Sequence, residues 1–160
     1  MSAVNPKTVA GPIGIDFEAT STVDVYGAGL QVETDLGKFV WAKAGATIAE
    51  GQVCKLALSS GVLTATLLDT TISGTEQIVV GLAHKGIASG SFGWFARGPF
   101  QEYQALLVTS IAANSILTTT ATAGSAGTGG DVLFGLTSNA SSGTGGLTYC
   151  RASSLLGTNL

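Results

Sequence analysis

Apolar and polar positions along the chain alternate in short runs, and no stretch sustains the three-to-four spacing of an amphipathic helix over three turns. Lys38–Lys43, Val53–Leu58, Val62–Leu68, Gln77–Lys85, Phe92–Arg97, Ile116–Thr122, Val132–Leu136 and Leu147–Ala152 are predicted strands. Gln101–Val108 would tolerate a helical turn, but its β-branched surroundings favour a strand. Ser59-Ser60-Gly61, the polar run Asp69–Glu76, Gly98-Pro99, the low-complexity run Ala123–Gly130 and Thr137–Gly146 punctuate them as turns and loops. The pattern is that of an all-β chain, a compact small barrel or sandwich of about eight to ten short strands.

One hexapeptide recurs three times. Ile48-Ala49-Glu50-Gly51-Gln52-Val53, Ile87-Ala88-Ser89-Gly90-Ser91-Phe92 and Ile111-Ala112-Ala113-Asn114-Ser115-Ile116 share the form Ile-Ala-x-(Gly or Asn)-x-apolar. Gly and Asn are the residues that best tolerate positive φ. Each copy therefore predicts the same corner: strand, tight turn through a left-handed residue, strand.

Residues 1–29 read as an extended N-terminal arm and residues 30–160 as the β-barrel or sandwich domain. Asn5-Pro6, Gly11-Pro12, Gly14, Gly27 and Gly29 break regularity in the arm, while Ile13, Ile15, Phe17, Val23 and Val25 alternate with Asp16, Glu18 and Asp24. That alternation predicts a strand whose apolar face adds to a sheet, its own or a neighbour's.

Charge changes this picture more than bulk composition does. Only 11% of the 160 residues are charged against 45% hydrophobic, so part of the surface is expected to be covered by partners. Asp16, Glu18, Asp24, Glu33 and Asp35 face Lys7 alone in the first 35 residues, and no basic patch exists to release counterions from DNA or RNA. The uncharged run from Tyr103 to Gly130 is too rich in Thr, Ser, Asn and Gly to span a membrane. The N-terminus lacks the charged start and apolar core of a signal peptide, so synthesis in a host cytoplasm is expected. Cys54 and Cys150 are in no metal-ligand spacing, and two buried apolar thiols are expected rather than a disulfide.

Candidate chemistry is sparse. His84 is the only histidine, with no carboxylate beside it in sequence, and is expected to be structural. Asp16 with Glu18, or Glu33 with Asp35, would share a strand face as paired carboxylates, but they sit in or beside the arm, where a solvated polar face is the simpler reading. Gly27-Ala28-Gly29 and Gly127-Thr128-Gly129-Gly130-Asp131 lack the Lys-Ser/Thr ending of a phosphate loop. Trp41 and Trp94 lie in apolar strands and are expected in the core; exposed, they would offer a sugar-binding platform. No catalytic, cofactor-binding or metal-binding residue is assigned.

Leu36–Gly45 running into the first corner, Val80–Ala83 through Gly90–Trp94 and Arg97-Gly98, and Ile111–Thr120 together resemble the head decoration, or cement, proteins of tailed bacteriophages. The resemblance covers about residues 30–155. It implies a non-enzymatic virion protein on the capsid surface, a homotrimer whose partner is the major capsid protein, with no nucleic acid, membrane, small-molecule substrate or cofactor. The alternative is a carbohydrate- or receptor-binding module of a phage fibre or tail; an enzyme would have to rely on His84 and the acids.

Overall fold

The computed structural model describes residues 14–70, 78–130 and 132–158, and these form eleven strands and no helix. The short strand β1 (Gln31–Thr34) turns back into β2 (Gly37–Ala44). A ring follows. The hairpin of β3 (Val53–Ser59) and β4 (Val62–Leu67) places β4 parallel to β2, β5 (Val79–Ala83) runs antiparallel to β3, and β6 (Phe92–Gly98) pairs antiparallel with both β5 and β2. The result is a closed five-stranded barrel. So few strands leave little room inside, and its interior is filled mostly by small side chains: Ala42, Ala44, Cys54, Ala65 and Ala83, with Val40, Leu56 and one ring, Phe95.

The remaining strands repeat that plan. β7 (Phe100–Leu107), β8 (Ile116–Thr119), β9 (Ala126–Gly127), β10 (Val132–Ser138) and β11 (Gly146–Thr158) pair in the same order, again with one parallel contact, between β7 and β9. Away from the β-bulges the registers match residue by residue. Ala44 faces Ala65 in the first ring as Leu107 faces Ala126 in the second; Ala42 faces Gly93 as Ala105 faces Thr148. Ala83 faces Phe95 as Ser138 faces Cys150. The chain is thus one five-strand module built twice. The interior aromatic changes strand between copies: Val40 faces Phe95, whereas Tyr103 faces Cys150.

The predicted corners join β2 to β3, β5 to β6 and β7 to β8. Gly51, Gly90 and Asn114 adopt φ of 77°, 81° and 62°, and the leading Ile48, Ile87 and Ile111 are buried. The first two corners brace each other: Ile48 and Ile87 exchange backbone hydrogen bonds of 2.9 and 2.8 Å, Gly51 N–H donates to Ala83 O, and Gly90 N–H donates to Ala44 O. In the second module the third corner meets a fourth. Asn114 N–H donates to Ser138 O and Ser142 N–H donates to Ile111 O, both at 2.8 Å, and Gly145 carries φ of 86° at the left-handed place. Ser142 stands where the other corners have Ile. Its Oγ accepts from Ile111 N–H and donates to Val108 O, so the buried hydroxyl is satisfied.

One continuous core joins the modules, from the outer face of the first ring (Phe39, Trp41, Leu82, Trp94) into the interior of the second (Tyr103, Leu107, Leu117, Cys150). The buried Arg97 staples them, donating from Nε to Val80 O and from Nη2 to Leu156 O, each at 3.0 Å.

Three local expectations are corrected. Residues 14–29 form no strand: Phe17 is buried, but Val23 and Val25 are exposed and Ile13 lies outside the described residues. The run Ala123–Gly130 is no open loop, because β9 lies within it with Ala126 fully buried. Gly127 is packed so closely that an added Cβ would meet Thr120 and Val108 methyls at 2.6 and 2.7 Å, which only a glycine avoids. The last strand runs past Ala152 to Thr158. Most of the Asp69–Glu76 loop lies outside the described residues.

Candidate functional site

Residues 14–29 lie across the outer face of the first ring. Ser21 and Phe92 exchange backbone hydrogen bonds of 3.1 and 2.7 Å, which fixes the path of the segment. Phe17 packs against Phe39 and Trp94 with ring centroids 5.5 and 5.0 Å apart, and Tyr26 packs on Trp41 and Trp94 at 4.9 and 5.4 Å. Both indoles spend their N–H on this segment: Trp41 Nε1 donates to Asp24 Oδ1 and Trp94 Nε1 to Asp16 O, each at 2.9 Å. Trp41 and Trp94 are 0% and 1% exposed, so they form core and no sugar platform.

His84, fully buried, is the polar centre beneath the segment. Its Nε2 lies 3.3 Å from Glu18 Oε1, and its Nδ1 is hydrogen-bonded to the buried Tyr103 hydroxyl. A carboxylate can only accept, so Nε2 carries the proton and the tyrosine O–H donates to Nδ1. Lys85 Nζ closes the group at 2.7 Å from Glu18 Oε2. Burial lowers the histidine's pKa, against the opposing pull of Glu18. Burial likewise raises the Tyr103 phenol well above its ordinary value, with Glu50 and Glu18 adding to the rise. A neutral histidine locked between a phenol that stays protonated and a carboxylate held by a lysine is a structural tie between the two modules and the segment.

The carboxylates are not brought together as pairs. Glu18 turns inward to His84 and Lys85, while Asp16 Oδ1 accepts from Glu18 N–H. Glu33 sits exposed on β1, and Asp35 in the turn that follows. Cys54 and Cys150 are free and buried. Sequence reasoning missed Glu18 as the partner of His84, since the two are far apart along the chain and no motif joins them. Among the described residues no group of three or more His, Cys, Asp and Glu is placed to hold a metal ion.

No protein-family profile matches the chain, and no curated protein matches it in sequence. Its fold is similar to the crystal structure of the head fiber gp8.5 N base of bacteriophage phi29, with a TM-score of 0.56 and 16% sequence identity. The match covers 74% of this chain and 96% of that one. At that identity the likeness is one of fold.

Proposed function

We propose that this chain is a structural protein of a bacteriophage head, seated on the outer capsid surface as a homotrimer and bridging subunits of the major capsid protein. The observation that carries the reading is the likeness to a head-fiber base, nearly all of which is covered by the match. The architecture is consistent with it. Two closed rings are joined through one continuous core, and the polar cluster around His84 is committed to tying them together. Leu58, Ile116, Val23 and Val25 are between 57% and 75% exposed, apolar surface suited to burial against neighbours. At about 25 cal/mol per Å² of apolar area, modest contacts repeated over a shell add up to substantial stabilisation. The reading as a carbohydrate- or receptor-binding module required Trp41 or Trp94 at the surface, and both are buried.

The test is to mix purified protein with expanded heads lacking it, then follow co-sedimentation and shell survival on heating. Saturable binding with a gain in survival temperature is expected. Absence of binding, or binding without any gain, refutes the proposal.

A further inference from the structure

The two modules match strand by strand, yet their outer faces are covered differently. On the first ring Trp41, Val53, Leu82, Trp94 and Ala96 are all buried beneath segment 14–29 or in the shared core. Carrying the register over assigns Gln104, Ile116, Thr137, Tyr149 and Arg151 to the same places on the second ring. Of these only Gln104 is buried; Ile116 is 64% and Tyr149 40% exposed, and Arg151 and nearby Glu102 are exposed as well. Tyr, Arg and a large aliphatic on one open face is the composition of an interface centre.

Connectivity explains the difference. The cover of the first ring is the chain that precedes β1. Between β6 and β7 stands Pro99 alone, so no equivalent stretch exists to cover the second ring. The backbone repeats the contrast. Phe92 bridges to Ser21, whereas Leu147 holds the matching place on β11 and no bridge outside the strands reaches it among the described residues.

We propose that residues 1–13 of a second copy lie across this face of the second ring, as residues 14–29 lie across the first. These residues stand outside those described and lead directly into the segment that covers the first ring. Thirteen residues extend to roughly 40 Å at about 3.3 Å each, enough to leave one molecule and reach the next. Their sequence suits an extended ligand. Pro6 and Pro12 are residues that disfavour helix, Val4, Val9 and Ile13 are the apolar side chains that would meet Ile116 and Tyr149 in the proposed contact, and the single charge, Lys7, would meet Glu102. A head-to-tail exchange of this kind closes into a ring when the rotation permits.

This inference rests on the oligomer proposed above and identifies the contact that makes it. The test is the native mass of the full chain beside two full-length variants, Ile116→Ser with Tyr149→Ala on the face and Val4→Asp with Val9→Asp on the segment. All of these side chains lie outside the core described here or in residues 1–13, and an unchanged circular dichroism spectrum checks the fold. The parent is expected to be oligomeric, and each variant to dissociate at least tenfold more readily. Variants as oligomeric as the parent overturn the contact and leave the oligomer standing. A monomeric parent overturns both the contact and the oligomer, and head binding is then judged by the sedimentation assay alone. A mass that stays fixed while the segment variant exposes Tyr149 to solvent also overturns it, since the segment then docks on its own chain.

Discussion

The equivalent corners allow one substitution to be graded by its surroundings. Alanine at Gly90 would meet no atom within 4 Å, so its cost is the left-handed backbone alone, φ 81°, about 1 kcal/mol. At Gly51, φ 77°, the added Cβ would lie 2.3 Å from Leu147 Cδ2 and 3.3 Å from Gln104 O and Leu106 N. The leucine tip can swing aside but the backbone of β7 cannot, so crowding adds about 1 kcal/mol or more to the same backbone cost. Gly51→Ala should therefore lose about 2–3 kcal/mol and Gly90→Ala about 1 kcal/mol. Asn114→Gly keeps a permitted φ and gives up an exposed 3.2 Å contact with Arg151, so it should stay within about 0.5 kcal/mol of the parent. Urea midpoints at one fixed protein concentration, with unchanged slopes, measure the series. In melting temperature 1 kcal/mol corresponds to roughly 2–4 °C for a chain of this size. Equal losses at Gly51 and Gly90 would refute the crowding at Gly51, and a loss at Asn114 as large as that at Gly90 would refute the shared left-handed role of the corners.

Other consequences are as direct. Trp41 and Trp94 should emit at short wavelength and resist acrylamide until the protein unfolds, and native quenching near the unfolded value would contradict the packing of segment 14–29 over them. His84 has a folded pKa below its unfolded value, so the unfolded chain takes up the proton first. Stability should be full above the unfolded pKa of about 6.5 and fall as pH drops below it; imidazole NMR shifts still titrating at the free value would oppose this. Glu18→Gln removes the partner of Lys85 and His84 from a partly exposed site, so urea unfolding should show a loss of no more than about 1 kcal/mol. Burial pushes the Cys54 thiol up and the Cys150 thiol up to about 12. Neither should react with a disulfide reagent at pH 8 before unfolding, and rapid native labelling of either would place it at the surface.

The corners were legible because a left-handed residue restricts the choice to Gly or Asn and a buried leading residue restricts it to Ile. Where Ser142 fills the leading place with a buried, hydrogen-bonded hydroxyl in place of an apolar side chain, the fourth corner left no trace in the pattern. β9 escaped notice because two residues carry no periodicity, and its one glycine, Gly127, answers a packing demand that reads as low complexity. The arm's alternation misled because Phe17 and Tyr26 pack on the ring singly, held by turns and the Asp24 side chain, without the pleat of a strand. The core was legible at Trp41 and Trp94, whose neighbours are apolar. The duplication was not, since facing pairs such as Ala42 with Gly93 and Ala105 with Thr148 keep geometry and abandon identity.

The migration of the interior aromatic from β6 to β7 has an evolutionary edge. A hybrid ring taking β7 from one half and β6 from the other would confront Tyr103 with Phe95, two bulky rings in a space made for one. The reciprocal hybrid would set Val40 beside Cys150 and leave a hollow, a defect of several kcal/mol. The strands that carry these facing pairs therefore cannot be traded between the halves one at a time. A cut at Pro99 keeps each matched pair of facing side chains within one half, although the shared core and the Arg97 staple still cross it.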